Sequence, residues 1–158
     1  MSSKPLVTQL ESAFSGGGAE GFAEALTAVV AHFNAQMGTI HRLDPDRHLY
    51  LVAATPGIPE PVLAAARRIP VGKGIAGEAA ETGKPVSICN IQSEARVPAG
   101  ARATGASGAL CVPIFLGERI AGTLGIGCAG ERVFTAGETE DLLAAGRVLA
   151  EAVTRSGP

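Results

Sequence analysis

A chain of 158 residues suits one domain, and a chain of this size buries roughly 70% of its unfolded surface. Hydrophobic residues make up 46% and mean hydropathy is +0.26, but with no Trp, one Tyr and five Phe the core is filled mainly by Ala, Val, Leu and Ile. Net charge is −2 with a pI near 5.9, and no basic stripe appears, which argues against a nucleic-acid surface.

The first eighteen residues hold no apolar run of signal-peptide length, and nothing in the chain approaches a membrane span. A cytoplasmic protein without membrane contact is the expectation. Residues 1–18 read as an extension with a weak amphipathic run (Leu6, Leu10, Ala13, Phe14) ending in a triple-glycine hinge, Gly16-Gly17-Gly18. From Ala19 to Gln36, Phe22, Leu26, Val29, Val30 and Phe33 recur at helical spacing, and Gly38 is the expected stop. His32 lies beside this stripe as a partly exposed helix residue.

Met37 to Leu43 and His48 to Ala54 flank a turn of composition Asp44-Pro45-Asp46-Arg47, which predicts a hairpin. Alternation puts Thr39, His41 and Leu43 on one face and Ile40 and Arg42 on the other. His41 then lies on the more enclosed side, either as a hydrogen-bonded structural histidine or as a ligand contact. A loop of Thr55 to Pro59 leads into a short helix, Glu60 to Arg68.

Ile69 to Ile91 is the organising stretch. Its glycine turn, Gly72-Lys73-Gly74, opens a two-turn helix from Ile75 to Glu81. Thr82-Gly83-Lys84-Pro85 stops that helix, and a strand follows over Val86 to Cys89. Gly72-x-Gly74-x-x-Gly77 matches the spacing of dinucleotide-binding turns. That fingerprint needs a strand directly before the first glycine and a strand-helix rhythm around it. Here a helical run and Pro70 precede it. The phosphate-loop pattern is absent as well, since Lys84 is followed by Pro85 and the glycine spacing differs.

Gln92 to Ser107, rich in Ala, Gly and Arg, reads as a mobile loop carrying Arg96 and Arg102, either solvated or facing an anionic group on a ligand. Gly108 to Leu116 is nearly all apolar and suits a central strand, with Pro113 in conflict because proline donates nothing to a ladder. Gly117-Glu118 turns into Arg119 to Cys128, a strand thinned by Gly122, Gly125 and Gly127 against which something packs tightly. Phe134-Thr135-x-x-Glu138 predicts a capping box opening a last helix with Leu142, Leu143, Val148, Leu149 and Val153 on its apolar face. Cys89, Cys111 and Cys128 lie in apolar segments and read as buried reduced thiols. There is no C-x-x-C and no His-x-x-x-His, so no metal ligands are assigned.

Five segments in this order resemble the GAF domain family: Ile69 to Gly77, Gly83-Lys84-Pro85-Val86, Cys111-Val112-Pro113-Ile114, Gly122-Thr123-Leu124-Gly125, and Phe134-Thr135-x-x-Glu138. The resemblance covers residues 19–154 and leaves a tail of 155–158. It implies an α+β fold with a central antiparallel sheet of five or six strands. The first and last helices would cover one face, and the glycine-turn helix and the loop before the fifth strand would close a ligand pocket on the other. A Val-Pro pair on the strand is usual in the family. The resemblance also implies a cytoplasmic, non-enzymatic sensor that passes pocket occupancy to a signalling partner through its terminal helices. The ligand is an unknown small molecule, any cofactor is unknown, and the expected assembly is a homodimer. His41, Ile75, Cys89, Arg96, Arg102 and Cys111 are the expected ligand-binding residues.

Subfamily features narrow this implication. Cyclic-nucleotide binders carry an Asn-Lys pair where this chain has Gly127-Cys128, and bilin binders have a Cys-His pair that is missing here. Free methionine sulfoxide reductases place thiols near Ala76 and in the loop of Arg96 to Arg102, where this chain has no Cys. The alternatives are a thiol redox protein using Cys89 with Cys111 or Cys128, a divergent reductase of that kind, or a structural dimerisation module with a collapsed pocket. Haem or non-haem metal at His41 or His48 is a further option.

Overall fold

The computed structural model describes Leu10, residues 19–90 and residues 107–156. The triple-glycine hinge and the loop carrying Arg96 and Arg102 lie outside the described residues. The elements are α1 (Ala19–His32), β1 (Met37–Leu43), β2 (His48–Ala54), α2 (Glu60–Ala66), β3 (Arg68–Pro70), α3 (Gly74–Thr82), β4 (Val86–Ile88), β5 (Gly108–Leu116), β6 (Arg119–Cys128) and α4 (Ala136–Arg155). They form one six-stranded sheet in the order β3-β2-β1-β6-β5-β4, with every pairing antiparallel. This is the α+β architecture expected from the sequence.

The alternation of β1, β5 and β6 divides the side chains between two faces. Ile40, Leu110, Val112, Ile114, Leu124 and Ile126 meet Leu26, Val29, Leu142, Leu149 and Val153 of α1 and α4 in the main core, with Leu10 also buried there. The opposite face carries a smaller cluster of Ala79, Val86, Ile88, Ala109 and Cys111, against which Met37, Ile75 and Ala76 pack. Two faces of unequal filling follow from the residue types. Large aliphatics point to the long helices, while alanine, cysteine and glycine point to the short ones.

Local chemistry explains most boundaries, and some differ from the sequence-based expectation. Helix α1 stops at Asn34 rather than at Gly38. Asn34 takes a left-handed φ of 53°. Its N–H donates to the Ala31 carbonyl at 3.1 Å, and Ala35 N–H donates to Val30 at 2.9 Å, the pattern of a Schellman stop. Gly38 instead lies in β1, where an added Cβ would sit 2.9 Å from Leu26 Cδ1 and 3.0 Å from Val30 Cγ2. The hairpin forms as predicted, its turn closed by Arg47 N–H on the Asp44 carbonyl with Arg47 left-handed.

The helix expected to reach Arg68 ends at Ala66, and Arg68–Pro70 pairs with His48–Tyr50 as the edge strand β3. A three-residue strand therefore does precede Gly72, but it is an antiparallel edge strand, unlike the parallel strand a dinucleotide turn requires. Gly72 (φ 95°) and Gly74 (φ 70°) supply the turn into α3, and Gly83 (φ 67°) ends that helix by donating to the Ala79 carbonyl at 3.0 Å. The Pro113 conflict resolves in the register. β4 reaches only as far along β5 as Cys111, so Pro113 lies past its end, on a stretch of β5 with an open margin.

The capping box at the start of α4 is present. Glu138 N–H donates to Thr135 Oγ1 at 3.0 Å, and Thr135 N–H donates to Glu138 Oε1 at 2.9 Å. The Thr135 backbone bond, followed by the Arg132 guanidinium, holds the Glu138 carboxyl below its usual range. Thr135→Ala is expected to cost about 1 kcal/mol of stability, read as a lower urea midpoint with an unchanged slope.

Candidate functional site

The sheet face away from α1 and α4 is not packed solid. A cavity of about 150 Å³ separates it from the short elements above. Its floor is Met37 and Thr39 of β1, Gly125 and Gly127 of β6, and Ala109 and Cys111 of β5. Its roof is Ile58, Val62, Leu63 and Ala66 on and before α2, with Ile75 and Ala76 on α3. The cavity exists because the floor residues are small. An added Cβ on Gly125 would make only ordinary contacts, 3.5 Å from Thr39 Oγ1 and 3.6 Å from Cys111 Sγ. Helix α2 has no buried residue at all. Its apolar side chains Val62 and Leu63 face this space half-buried instead of reaching the sheet.

The roof helix α3 is held close by Gly77, where a Cβ would come within 2.7 Å of the Pro70 carbonyl oxygen. Gly72 N–H donates to the Gly77 carbonyl at 2.8 Å, and Gly77 N–H donates to Lys73 at 3.1 Å. The three glycines of the motif thus bring a turn and a helix together over the sheet. They form no phosphate cradle.

One register step along the same face lies a polar pair. His41 on β1 sits opposite Thr123 on β6, as Thr39 sits opposite Gly125. His41 is 2% exposed and Thr123 1%. His41 Nε2 lies 2.8 Å from the Ala66 carbonyl, so it carries the proton and donates, tying the end of α2 to the sheet. Nδ1 and the Thr123 hydroxyl are buried with no hydrogen-bond geometry to any described residue. Thr123 does lie close enough to the Cys111 thiol to oppose, in part, the rise that burial gives that thiol, which is pushed up to about 12. At neutral pH Cys111 is a protonated, unreactive thiol.

Burial pushes the His41 pKa down, partly offset by the Ala66 bond. A proton on Nδ1 would be an unpartnered buried charge. The unfolded chain binds a proton near the ordinary value of 6.5 while the folded one does not, so the His41 contribution loses stability as pH falls below that value. The slope is at most about 1.4 kcal/mol per pH unit. Thermal melts from pH 7 to pH 5 are expected to show it in the native chain. His41→Gln keeps a donor for Ala66 and is expected to lack this component.

The structure brings three of the six expected site residues together: Ile75 and Cys111 on the cavity wall, and His41 beside it. Cys89 is solvent-exposed just past β4, which ends at Ile88, correcting its expected burial. Cys111 and Cys128 are buried as expected. Arg96 and Arg102 lie outside the described residues. Sequence reading names Gly125 as thinning its strand and Thr123 within a family segment, but gives neither a place in the site. The available signal was one hydroxyl residue among glycines and aliphatics, at the strand position facing His41. A larger groove of about 520 Å³ lies on the opposite face, near the end of α4, between Arg42, Asp44, Arg47 and Arg119. It is lined by charged side chains, of which Arg42 is already paired with Asp44 at 2.6 Å. The cavity under α2 and α3, lined mostly by apolar side chains, is the better ligand site. Among the described residues no group of His, Cys, Asp and Glu could hold a metal ion, and no helix is long and apolar enough to cross a membrane.

Comparison with known proteins agrees with this geometry. The family model described as "GAF domain" matches residues 19–154. No curated protein matches the sequence. Several solved structures share the fold. The GAF domain of an Acinetobacter phosphoenolpyruvate-protein phosphotransferase is 14% identical with a TM-score of 0.81, covering 99% of this chain and 96% of that one. A putative GAF sensor protein from Burkholderia vietnamiensis is 18% identical with a TM-score of 0.79, covering 97% and 96%. The free methionine-R-sulfoxide reductase of Neisseria meningitidis, solved with its substrate, is 19% identical with a TM-score of 0.76, covering 97% and 90%. At these identities the likeness establishes the fold alone. The family match over most of the length, and a sheet with long helices on one face and a short-helix cavity on the other, make this chain a member of the GAF domain family.

Proposed function

We propose that the chain is a non-enzymatic sensory module that binds a small molecule in the cavity between the sheet and helices α2 and α3. The carrying observation is the cavity itself: a small-residue floor beside α3 and under the apolar helix α2, which buries none of its residues. Ile75 and Cys111 line the ligand and His41 borders it. Occupancy is passed to a signalling partner through the terminal helices of a cytoplasmic homodimer.

The fold is shared with reductases, so the thiols bear on the choice between binding and chemistry. Ala76 stands in the roof where the resemblance expects a reductase thiol. Cys111 is held protonated by burial, and the exposed Cys89 does not line the cavity. These observations support binding over thiol catalysis. The test is Gly125→Val, whose Cβ fits and whose methyls fill the cavity. A metabolite panel scored by calorimetry is expected to give a ligand for the native chain and at least a tenfold loss in the variant, with the fold intact. Equal binding by both proteins would place the site elsewhere, and turnover of methionine sulfoxide would replace this reading with an enzymatic one.

A further inference from the structure

The proposed cavity ligand has a chemistry that the buried polar pair beside it specifies. Because His41 Nε2 donates to the Ala66 carbonyl, Nδ1 is left as a lone-pair acceptor, and the adjacent Thr123 hydroxyl can donate or accept. A buried donor or acceptor left unmet forfeits its hydration without compensation. Two such groups on facing strand positions, on the face that carries the cavity, form a built polar subsite.

The cavity ends at the residues that border this pair. Ala66 is both a wall residue and the partner of His41, and Cys111 is both a wall residue and the neighbour of Thr123. Successive same-face positions along a strand are about 7 Å apart, so the pair lies one such step from a compact body over Gly125, and a head group meets it only as binding uncovers the two buried atoms. A cavity of about 150 Å³ accommodates a benzene-sized body. No charged side chain among the described residues lines it, so an ion would find no counter-charge among them.

Resting on the sensory reading above, we infer that the site selects a small uncharged molecule with an apolar body of ring size and a single hydroxyl or primary amide head, which donates to His41 Nδ1 and accepts from Thr123 Oγ1. His41 then has two roles through its two nitrogens: one reads the ligand, the other holds the end of α2. A head group on Nδ1 polarises the imidazole and strengthens the Nε2–H bond to Ala66. Ligand binding is thereby coupled to the position of α2.

Calorimetry of the full chain with toluene, benzyl alcohol, benzamide and benzoate tests this, because the four share a ring and differ in the head. Benzyl alcohol and benzamide are expected to bind about tenfold or more tightly than toluene and benzoate. That preference should vanish in Thr123→Val, which keeps the side-chain shape, and in His41→Phe. Should His41→Phe fail to fold, the isosteric Thr123→Val still decides the question. A ¹⁵N shift of His41 Nδ1 on adding benzyl alcohol but not toluene is the second expected readout. Equal binding of toluene and the two polar probes, or a preference unchanged in Thr123→Val, overturns the head-group inference while leaving the cavity reading standing. Tightest binding of benzoate overturns it in favour of an anion site. Binding of none of the four overturns the ring-sized-body inference, and the metabolite panel with Gly125→Val then decides the cavity reading separately.

Discussion

Gly122→Ala is expected to destabilise the protein by about 4 kcal/mol or more, at the upper end of single-substitution effects. Gly122 stands in the middle of the sheet, opposite Arg42 of β1 on one side and Ile114 of β5 on the other. Beside it Ala121 is an extra residue, because Ile114 pairs with Gly122 while Phe115 pairs with Ile120, and this bulge twists β6 toward its neighbour. A Cβ on Gly122 would sit 1.9 Å from the His41 carbonyl oxygen and 2.9 Å from its carbonyl carbon. Both obstacles are backbone, so no rotamer change relieves the clash and β1 must move off β6. The same movement would displace His41 from Ala66 and open the cavity floor. Urea unfolding is expected to show a sharply lowered midpoint or no folded fraction, whereas Gly130→Ala, with nothing within 4 Å of its added Cβ, should stay within about 0.5 kcal/mol. A Gly122→Ala midpoint within error of the native chain would contradict the register described here.

Gly77→Ala is expected to have the second largest effect, on the roof rather than the floor. An alanine in a helix interior normally gains up to about 1 kcal/mol over glycine. Here its Cβ would lie 2.7 Å from the Pro70 carbonyl oxygen and 3.0 Å from the Gly72 nitrogen, again backbone atoms. Relief requires α3 to lift from the turn, which stretches the Gly72-to-Gly77 hydrogen bond and draws Ile75 and Ala76 away from the cavity. The net result is a loss of about 2 kcal/mol together with weakened ligand binding. A stabilised Gly77→Ala protein would mean that helix propensity outweighs the close approach, and would overturn the role given to this glycine.

These two positions also show what sequence alone conveys. The glycine turn, the hairpin, the capping box and the small-residue character of β6 are local patterns, and each was legible because its partners lie within a few residues. Pro113 was legible as a conflict but not as a solution, since the end of β4 that exposes it is a matter of register. β3 was missed because three residues, Arg68 to Pro70, are too short to show a period and follow directly on helix-forming alanines. Gly38 was misread as a helix stop because its real constraint is the closeness of Leu26 and Val30, while Asn34 supplies the stop four residues earlier.

The site was legible in part for the same reason. Alternation placed His41 on the enclosed face, and the family resemblance pointed to Ile75 and Cys111. The Ala66 carbonyl that fixes the His41 tautomer is twenty-five residues away in sequence, and Thr123, its unmet neighbour, comes from a different hairpin. Cys89 looked buried beside Val86 and Ile88, but the strand ends before it. The volume of the cavity depends on how far α2 stands off the sheet, which no residue pattern encodes.

The most direct measurement is a crystal structure of the protein as purified and again after soaking with benzyl alcohol, inspected over Gly125. The account predicts connected density between Gly125 and Val62, with a polar atom within hydrogen-bond distance of His41 Nδ1. A floor and roof in direct van der Waals contact in both crystals, with side chains filling the space, would contradict it.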